Sequence, residues 1–181
     1  MGDPSIPGPL SPMPYGRARD QANQVIHTMY TRHDFAACLR EIDRQFHESN
    51  GVSEYPLYIK GLIRRQQGAI QESLELFQAA TALNPHNIAN LKQVGRSLYL
   101  LSKHKAAFDV YEEAQLVLKD DWEIYHQKGL CCVHLKQLDK AIFCFRKANE
   151  LQPHDSTYMQ LGKVCARAST PRPPSPPRRR R

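Results

Sequence analysis

Residues 138–153 read LDKAIFCFRKANELQP, and a small–large–small pattern within this stretch decides the fold. Ala141 is followed after four residues by Phe145, after three more by Ala148, and after five more by Pro153. Alanine, leucine, lysine, arginine and glutamate favour a helix, and proline ends one. A plain amphipathic helix has no need of small residues on both sides of a ring, so the spacing indicates a specific packing requirement.

The same pattern recurs twice upstream at a constant spacing. Each copy has a glycine, then a small residue twelve positions later, an aromatic ring and a second small residue. Two copies add a proline, whereas the middle copy has Lys119 there. The recurring residues are Gly61, Ser73, Phe77, Ala80 and Pro85; Gly95, Ala107, Tyr111 and Ala114; and Gly129, Ala141, Phe145, Ala148 and Pro153. Three contiguous copies therefore run over 54–87, 88–121 and 122–155.

A period of about 34 residues with this pattern is the signature of the tetratricopeptide repeat, in which each copy forms a pair of antiparallel helices. Glycine and alanine allow two helices to approach closely, and the ring fills the groove beside them. Proline cannot continue the second helix, so the chain turns there. The sequence thus predicts an all-α, right-handed superhelical solenoid of tetratricopeptide-repeat helix pairs with disordered ends.

The flanking segments depart from the repeat. Residues 1–20 are rich in proline and glycine and are predicted to be disordered. Residues 21–53 suggest a degenerate helical hairpin, either an N-terminal cap or a further repeat. Residues 155–167 begin a fourth repeat but supply only its first helix, and residues 168–181 form a Pro/Arg-rich tail that is predicted to be disordered.

The incomplete fourth repeat has Tyr158 and Gly162 where earlier first helices have a large residue and a glycine. No second helix follows, so we expect Leu161 and Val164 to be poorly covered. The Asp121-Trp122 and Asp155-Ser156 pairs are expected to supply N-terminal caps for the helices that follow them.

The positive charge of the chain is concentrated at one end. The net charge is +7, but six arginines and no acidic residues lie within 167–181, and without them basic residues exceed acidic ones by one. Such a tail could bind phosphate nonspecifically or resemble a nuclear signal, but a solvated end is the simpler interpretation, so nucleic acid is not an expected partner. The longest apolar runs are a few residues, so no integral membrane segment is predicted.

The sequence lacks the motifs that carry catalysis or metal binding. We find no P-loop, no GxSxG and no HExxH. The five cysteines are odd in number and lack CxxC spacing, so they are predicted to be reduced apolar side chains. The eight histidines show no ligand spacing either. We therefore expect no enzyme activity, no cofactor, no metal and no small-molecule substrate.

Function is predicted to lie on the first helices, which line the concave face of such solenoids. Repeat positions 5, 9 and 12 face this side and are candidate peptide contacts. They are Tyr58, Leu62 and Arg65; Lys92, Arg96 and Tyr99; and His126, Leu130 and Val133. This mixture suits an acidic or amphipathic peptide, although a merely solvated groove is equally compatible with it.

Chaperone-binding repeats of this type hold a peptide carboxylate with two lysines, two asparagines and one arginine. The corresponding positions here hold none of these residues; they are Tyr58, Leu62, Gln93, Glu123 and Gln127. A free-standing peptide-binding adaptor or co-chaperone module therefore remains an alternative that the clamp positions do not support.

Five segments resemble the Bardet–Biedl syndrome protein 4 family. They are HDFAAC, GAIQESLELFQ, NLKQVGRSLYLLSKHKAAFDVYEEA, KDDWEIYHQKG and HDSTYMQLGK, and the similarity spans about residues 23–164. This resemblance implies a non-catalytic subunit of the BBSome, the coat that carries membrane proteins into and out of cilia. It also implies that the chain is a truncated N-terminal portion, because the family's array continues through more repeats.

The same resemblance implies partners and a location. The partners would be other BBSome subunits and centriolar-satellite or motor-adaptor proteins. The location would be cytoplasmic, at the centrosome, centriolar satellites, ciliary base and cilium.

Overall fold

The computed structural model describes residues 14–49 and 53–169, and all secondary structure in these ranges is helical. The helices are α1 (Pro14–Thr31), α2 (Phe35–Ser49), α3 (Glu54–Gln66), α4 (Ile70–Leu83), α5 (Ile88–Leu100), α6 (His104–Val117), α7 (Trp122–His134), α8 (Leu138–Leu151) and α9 (Asp155–Ser169). The chain divides after Leu83 into two compact units, one holding α1–α4 and the other α5–α9.

In the first unit, α1 and α2 pack on each other and on α3, and α3 packs on α4. The core between the first three helices consists of Ile26, Cys38, Ile42, Ile59 and Ile63, all at most 2% exposed. Helix α1 begins at Pro14, inside the segment 1–20 that was predicted to be disordered, and residues 1–13 lie outside the described residues. A proline is well tolerated in the first turn, where a backbone N–H has no helical partner.

In the second unit each helix packs on the next one along the chain, from α5 to α9. One core cluster is formed by Cys132, Ala141, Phe145 and Val164, and Leu161 packs against it while partly buried. Val164 is 2% exposed, so the expectation that it is poorly covered is wrong, because α9 lays this side chain against α7 and α8. Helix α9 continues to Ser169, beyond the predicted end of the incomplete repeat, and residues 170–181 lie outside the described residues.

A ring lies on a glycine in each complete helix pair. A Cβ added to Gly61 would lie 2.8 Å from a Phe77 ring atom, and one added to Gly129 would lie 2.7 Å from Phe145. At Gly95 the distance to the Tyr111 ring would be 2.6 Å. Real Cβ atoms essentially never approach other heavy atoms this closely, so glycine is required at the first-helix position.

The small residues on either side of each ring are also fully buried. None of them exposes any surface; they are Ser73, Ala80, Ala107, Ala114, Ala141 and Ala148. Pro85 and Pro153 stand two residues beyond the ends of α4 and α8, as predicted for residues that stop a second helix. Helix α6 ends at Val117 without a proline, two residues before Lys119.

Left-handed residues between the helices of each pair recur with the same period. Gly68, Ser102 and Lys136 have φ values of 84°, 59° and 60°, and His33 has 59° in the first hairpin. At Lys136 the backbone N–H donates to Val133 O, and the next N–H donates to Cys132 O, which is a Schellman motif. Glycine occupies this position in one repeat only, so the sequence pattern did not predict the motif.

Polar side chains cap two of the first helices. Asn87 Oδ1 accepts a hydrogen bond from Ala89 N, and Asp121 Oδ1 accepts from Glu123 N and Ile124 N. The predicted cap at Asp121 is therefore confirmed. The predicted cap at Asp155 is wrong, because α9 begins at that residue and Ser156 N donates to His154 Nδ1 instead.

The ring-on-glycine contact predicts different effects on stability for the same substitution at two glycines. Gly129→Ala should destabilise the chain by about 1–3 kcal/mol, because the new methyl group overlaps the buried Phe145 ring. Gly162→Ala should be neutral or stabilise by up to about 1 kcal/mol, because nothing described lies within 4 Å of that Cβ and alanine favours the helix. Urea unfolding followed by circular dichroism measures both changes; equal effects would contradict the assignment.

The left-handed residues generate a second prediction. Lys136→Gly should stabilise the chain by roughly 0.5–1 kcal/mol, because glycine adopts a φ of 60° without steric cost. Lys136→Ala removes the same side chain but keeps the strain, so it should give no gain. Thermal unfolding of the two variants separates the backbone effect from loss of the lysine side chain.

Candidate interaction surface

In the first unit, the three candidate contacts on α3 are half-buried. The Tyr58 ring meets the Phe77 ring edge-on at 5.7 Å between centroids, and the Arg65 guanidinium lies 5.3 Å from the centroid of the same ring. Leu62 packs against the cluster around Ile59 and Ile63. These three side chains therefore pack α3 against the Phe77 ring of α4 and the core cluster, and they also form part of the α3 surface.

In the second unit, Lys92 on α5 is held by two carboxylates. Its Nζ lies 2.6 Å from Asp121 Oδ2 and 2.8 Å from Glu123 Oε2, and the side chains of Lys92 and Asp121 are 19% and 13% exposed. Burial alone would lower the pKa of Lys92, but hydrogen bonds to Asp121 and Glu123 raise it above its usual value. The lysine therefore joins α5 to the start of α7.

Tyr99 belongs to a cluster of polar rings. Its hydroxyl is hydrogen-bonded to His134 Nε2 at 2.9 Å, and the His134 and His104 rings stack at 4.2 Å between centroids. Burial and then His134 lower the pKa of His104. By contrast, Arg96 is exposed, whereas the other eight candidates are partly or fully buried.

The three candidates on α7 are largely used in packing. His126 is 8% exposed, its Nδ1 is hydrogen-bonded to Thr157 Oγ1 at 2.9 Å, and its ring meets Phe145 edge-on at 5.6 Å. Leu130 and Val133 pack on the cluster around Cys132 and Phe145. His126 therefore links α7, α8 and α9 inside the second unit and is not a surface contact.

The structure adds three first-helix residues that the repeat period missed. Helix α9 begins one residue earlier than the spacing between α5 and α7 predicts. Its counterparts of His126, Leu130 and Val133 are consequently Met159, Lys163 and Ala166, all exposed. The signal was present in the sequence, because Gly162 follows Gly129 one residue sooner than Gly129 follows Gly95. Tyr158 and Gly162 were predicted in this register, but the nine candidates were drawn from the three complete repeats only.

Comparison with known proteins identifies the relatives of this chain. A tetratricopeptide-repeat family model matches residues 123–155. BBSome complex member BBS4 from Mus musculus is 48% identical over 145 residues, and that from Xenopus tropicalis is 46% identical over the same length. Over that aligned region the chain is similar to part of BBS4. The alignment covers 80% of this chain, which spans only 28% of the length of each of these BBS4 relatives.

Solved structures establish the tetratricopeptide fold independently. MamA from Desulfovibrio magneticus RS-1 superposes with a TM-score of 0.74 at 24% identity, covering 82% of this chain and 84% of MamA. The first tetratricopeptide domain of Spaghetti (RPAP3), solved with an HSP90 peptide, gives a TM-score of 0.63 at 19% identity and covers 65% of this chain and 94% of that domain. The predicted all-α tetratricopeptide-repeat class is thereby confirmed.

The cysteines of this chain lie mostly in its cores. Cys38, Cys131, Cys132 and Cys144 are free and buried, as predicted for small apolar side chains, whereas Cys165 is partly exposed. Burial, with Asp34 and Glu41 nearby, raises the pKa of the Cys38 thiol to about 11, and burial beside Cys132 raises that of Cys131 to about 12. Such thiols are poor nucleophiles and poor metal ligands at neutral pH.

Within residues 14–49 and 53–169, no three histidine, cysteine, aspartate or glutamate side chains are placed to hold a metal ion together. None of the described helices is both long and apolar enough to cross a membrane.

His126 generates a prediction about pH. Burial and His154 lower the pKa of His126, and Glu123 partly opposes them. The stability that depends on neutral His126 is therefore fully present above the unfolded pKa of about 6.5 and is lost as the pH falls through the lower folded value.

Wild-type protein should therefore lose more unfolding free energy than His126→Gln between about pH 7.5 and about pH 5.5. Substitution of the exposed His86 by Gln is the control and should leave the wild-type dependence unchanged. Urea unfolding across this range provides the measurement; parallel curves for wild type and His126→Gln would contradict the assignment.

Proposed function

We propose that this chain is a non-catalytic interaction scaffold that assembles with BBSome subunits. The observation that carries the proposal is its 48% identity to mouse BBSome complex member BBS4 along 145 residues. Each of the pairs α3–α4, α5–α6 and α7–α8 has a ring packed on a glycine, so each pair supports the side chains on its own outer surface. The proposed role is ciliary membrane-protein trafficking and ciliogenesis.

The proposed partners and locations follow from the same homology. They are sister BBSome subunits, centriolar-satellite proteins and motor adaptors, at the centrosome, the ciliary base and the cilium. No small-molecule substrate or cofactor belongs to this proposal.

A co-chaperone role receives no support from the clamp positions. Glu123 occupies one of them and forms an ion pair with Lys92. A peptide carboxylate placed there would meet a carboxylate of like charge, which disfavours binding.

Arg96 is the residue with which we test the scaffold proposal. It is an exposed first-helix cation that forms no ion pair with the described residues, unlike Lys92. Charge reversal there should weaken assembly with an acidic partner surface without affecting folding, because exposed substitutions change stability little.

The experiment is co-purification of the tagged chain with BBSome subunits from ciliated cells, with each subunit quantified by mass spectrometry. The wild-type chain should recover sister subunits, and Arg96→Glu should reduce their recovery several-fold. Arg146→Glu makes the same charge change on an exposed second-helix position and serves as the control. Wild-type protein that folds but recovers no BBSome subunit would refute the assignment.

A further inference from the structure

The two most exposed of the large apolar side chains that the structure describes lie on second helices of the second unit. Leu116, near the end of α6, is 80% exposed, and Phe143 on α8 is 65% exposed. A single exposed apolar side chain is ordinary at a protein surface, so exposure alone assigns neither residue a role. The charges around the two side chains, however, differ in sign.

The charged residues one helical turn from each apolar side chain show this difference. Three or four positions from Leu116 stand three acids and one lysine, which are Glu112, Glu113, Asp120 and Lys119. At the same distances from Phe143 stand three bases and one acid, which are Lys140, Arg146, Lys147 and Asp139. The net charge is therefore −2 beside Leu116 and +2 beside Phe143.

One charge on each side is already paired within the unit. Glu112 Oε1 lies 3.4 Å from Lys128 Nζ, and Lys147 Nζ lies 3.2 Å from Glu150 Oε2. The other six charged residues have no ion-pair partner among the residues that the structure describes. Each side consequently keeps one unbalanced charge, which is negative at the end of α6 and positive on α8.

Leu116 also lines a groove between α6 and α7, which we call the α6–α7 groove and which has a volume of about 780 Å³. Three further lining residues are joined by hydrogen bonds. Lys128 Nζ donates to Gln115 Oε1 at 2.7 Å, and Gln115 Nε2 donates to Tyr125 Oη at 2.9 Å. These bonds hold the groove in shape before anything binds, which reduces the entropy lost when a side chain enters it.

The second unit therefore carries both halves of a complementary contact. One half is a preformed groove with an exposed leucine and a surplus of negative charge, and the other is an exposed ring with a surplus of positive charge. A second copy of the chain supplies both halves at once, because in a two-fold dimer each surface of one copy meets the other surface of its partner. Complementary charges around an aromatic anchor favour such an encounter.

We propose that the chain forms a two-fold dimer in which Phe143 of each copy enters the α6–α7 groove of the other. The ring then packs beside Leu116, and Arg146 faces the carboxylate of Glu113. The contacts are few, so the dimer belongs to the small, weak class of interfaces. This surface lies on second helices, apart from the first-helix residue Arg96 that tests the scaffold proposal.

Sedimentation velocity of the purified full chain over a range of protein concentrations measures the dimer Kd. Arg146→Glu reverses a charge beside the ring, Glu113→Arg reverses one beside the groove, and Phe143→Ser removes the ring. Arg96→Glu is the matched control, because it makes the same charge change at an exposed first-helix position. Melting temperatures of all variants at a concentration where the chain is monomeric check that each one folds.

Wild type and Arg96→Glu should dimerise with the same Kd. Arg146→Glu, Glu113→Arg and Phe143→Ser should each raise Kd at least about tenfold, because one substitution alters both contacts of a two-fold dimer. The double variant Arg146→Glu with Glu113→Arg should regain most of the lost affinity, because the facing charges again have opposite signs. Melting temperatures should stay close to that of wild type, since exposed substitutions change stability little.

Several results would overturn the proposal. They are a wild-type chain that stays monomeric at every concentration, a dimer that the single variants leave intact, and a double variant that associates no better than either single variant. Assembly beyond the dimer would contradict the two-fold arrangement. A monomer that binds a synthetic peptide of residues 170–181, with binding lost in Glu113→Arg, would assign the groove to that arginine-rich segment instead.

The dimer and the scaffold function are tested separately. None of these measurements uses a BBSome subunit. Arg146→Glu should weaken the dimer and leave the recovery of BBSome subunits unchanged, whereas Arg96→Glu should do the reverse.

Discussion

An aromatic ring lying on a glycine is the contact on which each complete helix pair depends. The rings of Phe77, Tyr111 and Phe145 occupy the space that a Cβ would take on the facing helix, so neither partner tolerates enlargement. Fully buried small residues on both sides of each ring let the second helix approach closely enough to make this contact. The packing thus couples a glycine on one helix to a ring on the next, and the intervening turn must have a fixed length.

The rest of each pair is consistent with this fixed length. A left-handed residue and a Schellman motif end the first helix abruptly, and the second helix then starts in the register that brings its ring onto the glycine. Ser102 and Lys136 have left-handed backbone, which has a steric cost for residues other than glycine. This conformation keeps the turn short. The same rings also contact first-helix side chains that were predicted to bind a ligand. These side chains are Tyr58, Arg65 and His126.

This use of first-helix side chains narrows the surface on which recognition can occur. Lys92 is neutralised by Asp121 and Glu123, and Tyr99 is joined to His134, whereas Arg96 remains exposed. Helix α9 differs from the other first helices because one of its faces is packed and another is open. Val164 lies on the packed face, whereas at Gly162 nothing described lies within 4 Å of the Cβ position.

The sequence alone determined the repeat, its three complete copies and the ring and small-residue positions, because these follow from steric requirements that recur at a constant period. It could not determine which polar first-helix residues are used internally, since Lys92 and His126 meet partners from distant parts of the sequence only after packing. Tertiary structure also decided the start of α1 at Pro14 and the burial of Val164. Each depends on contacts between elements, whereas the repeat pattern reports what one element requires of its own side chains.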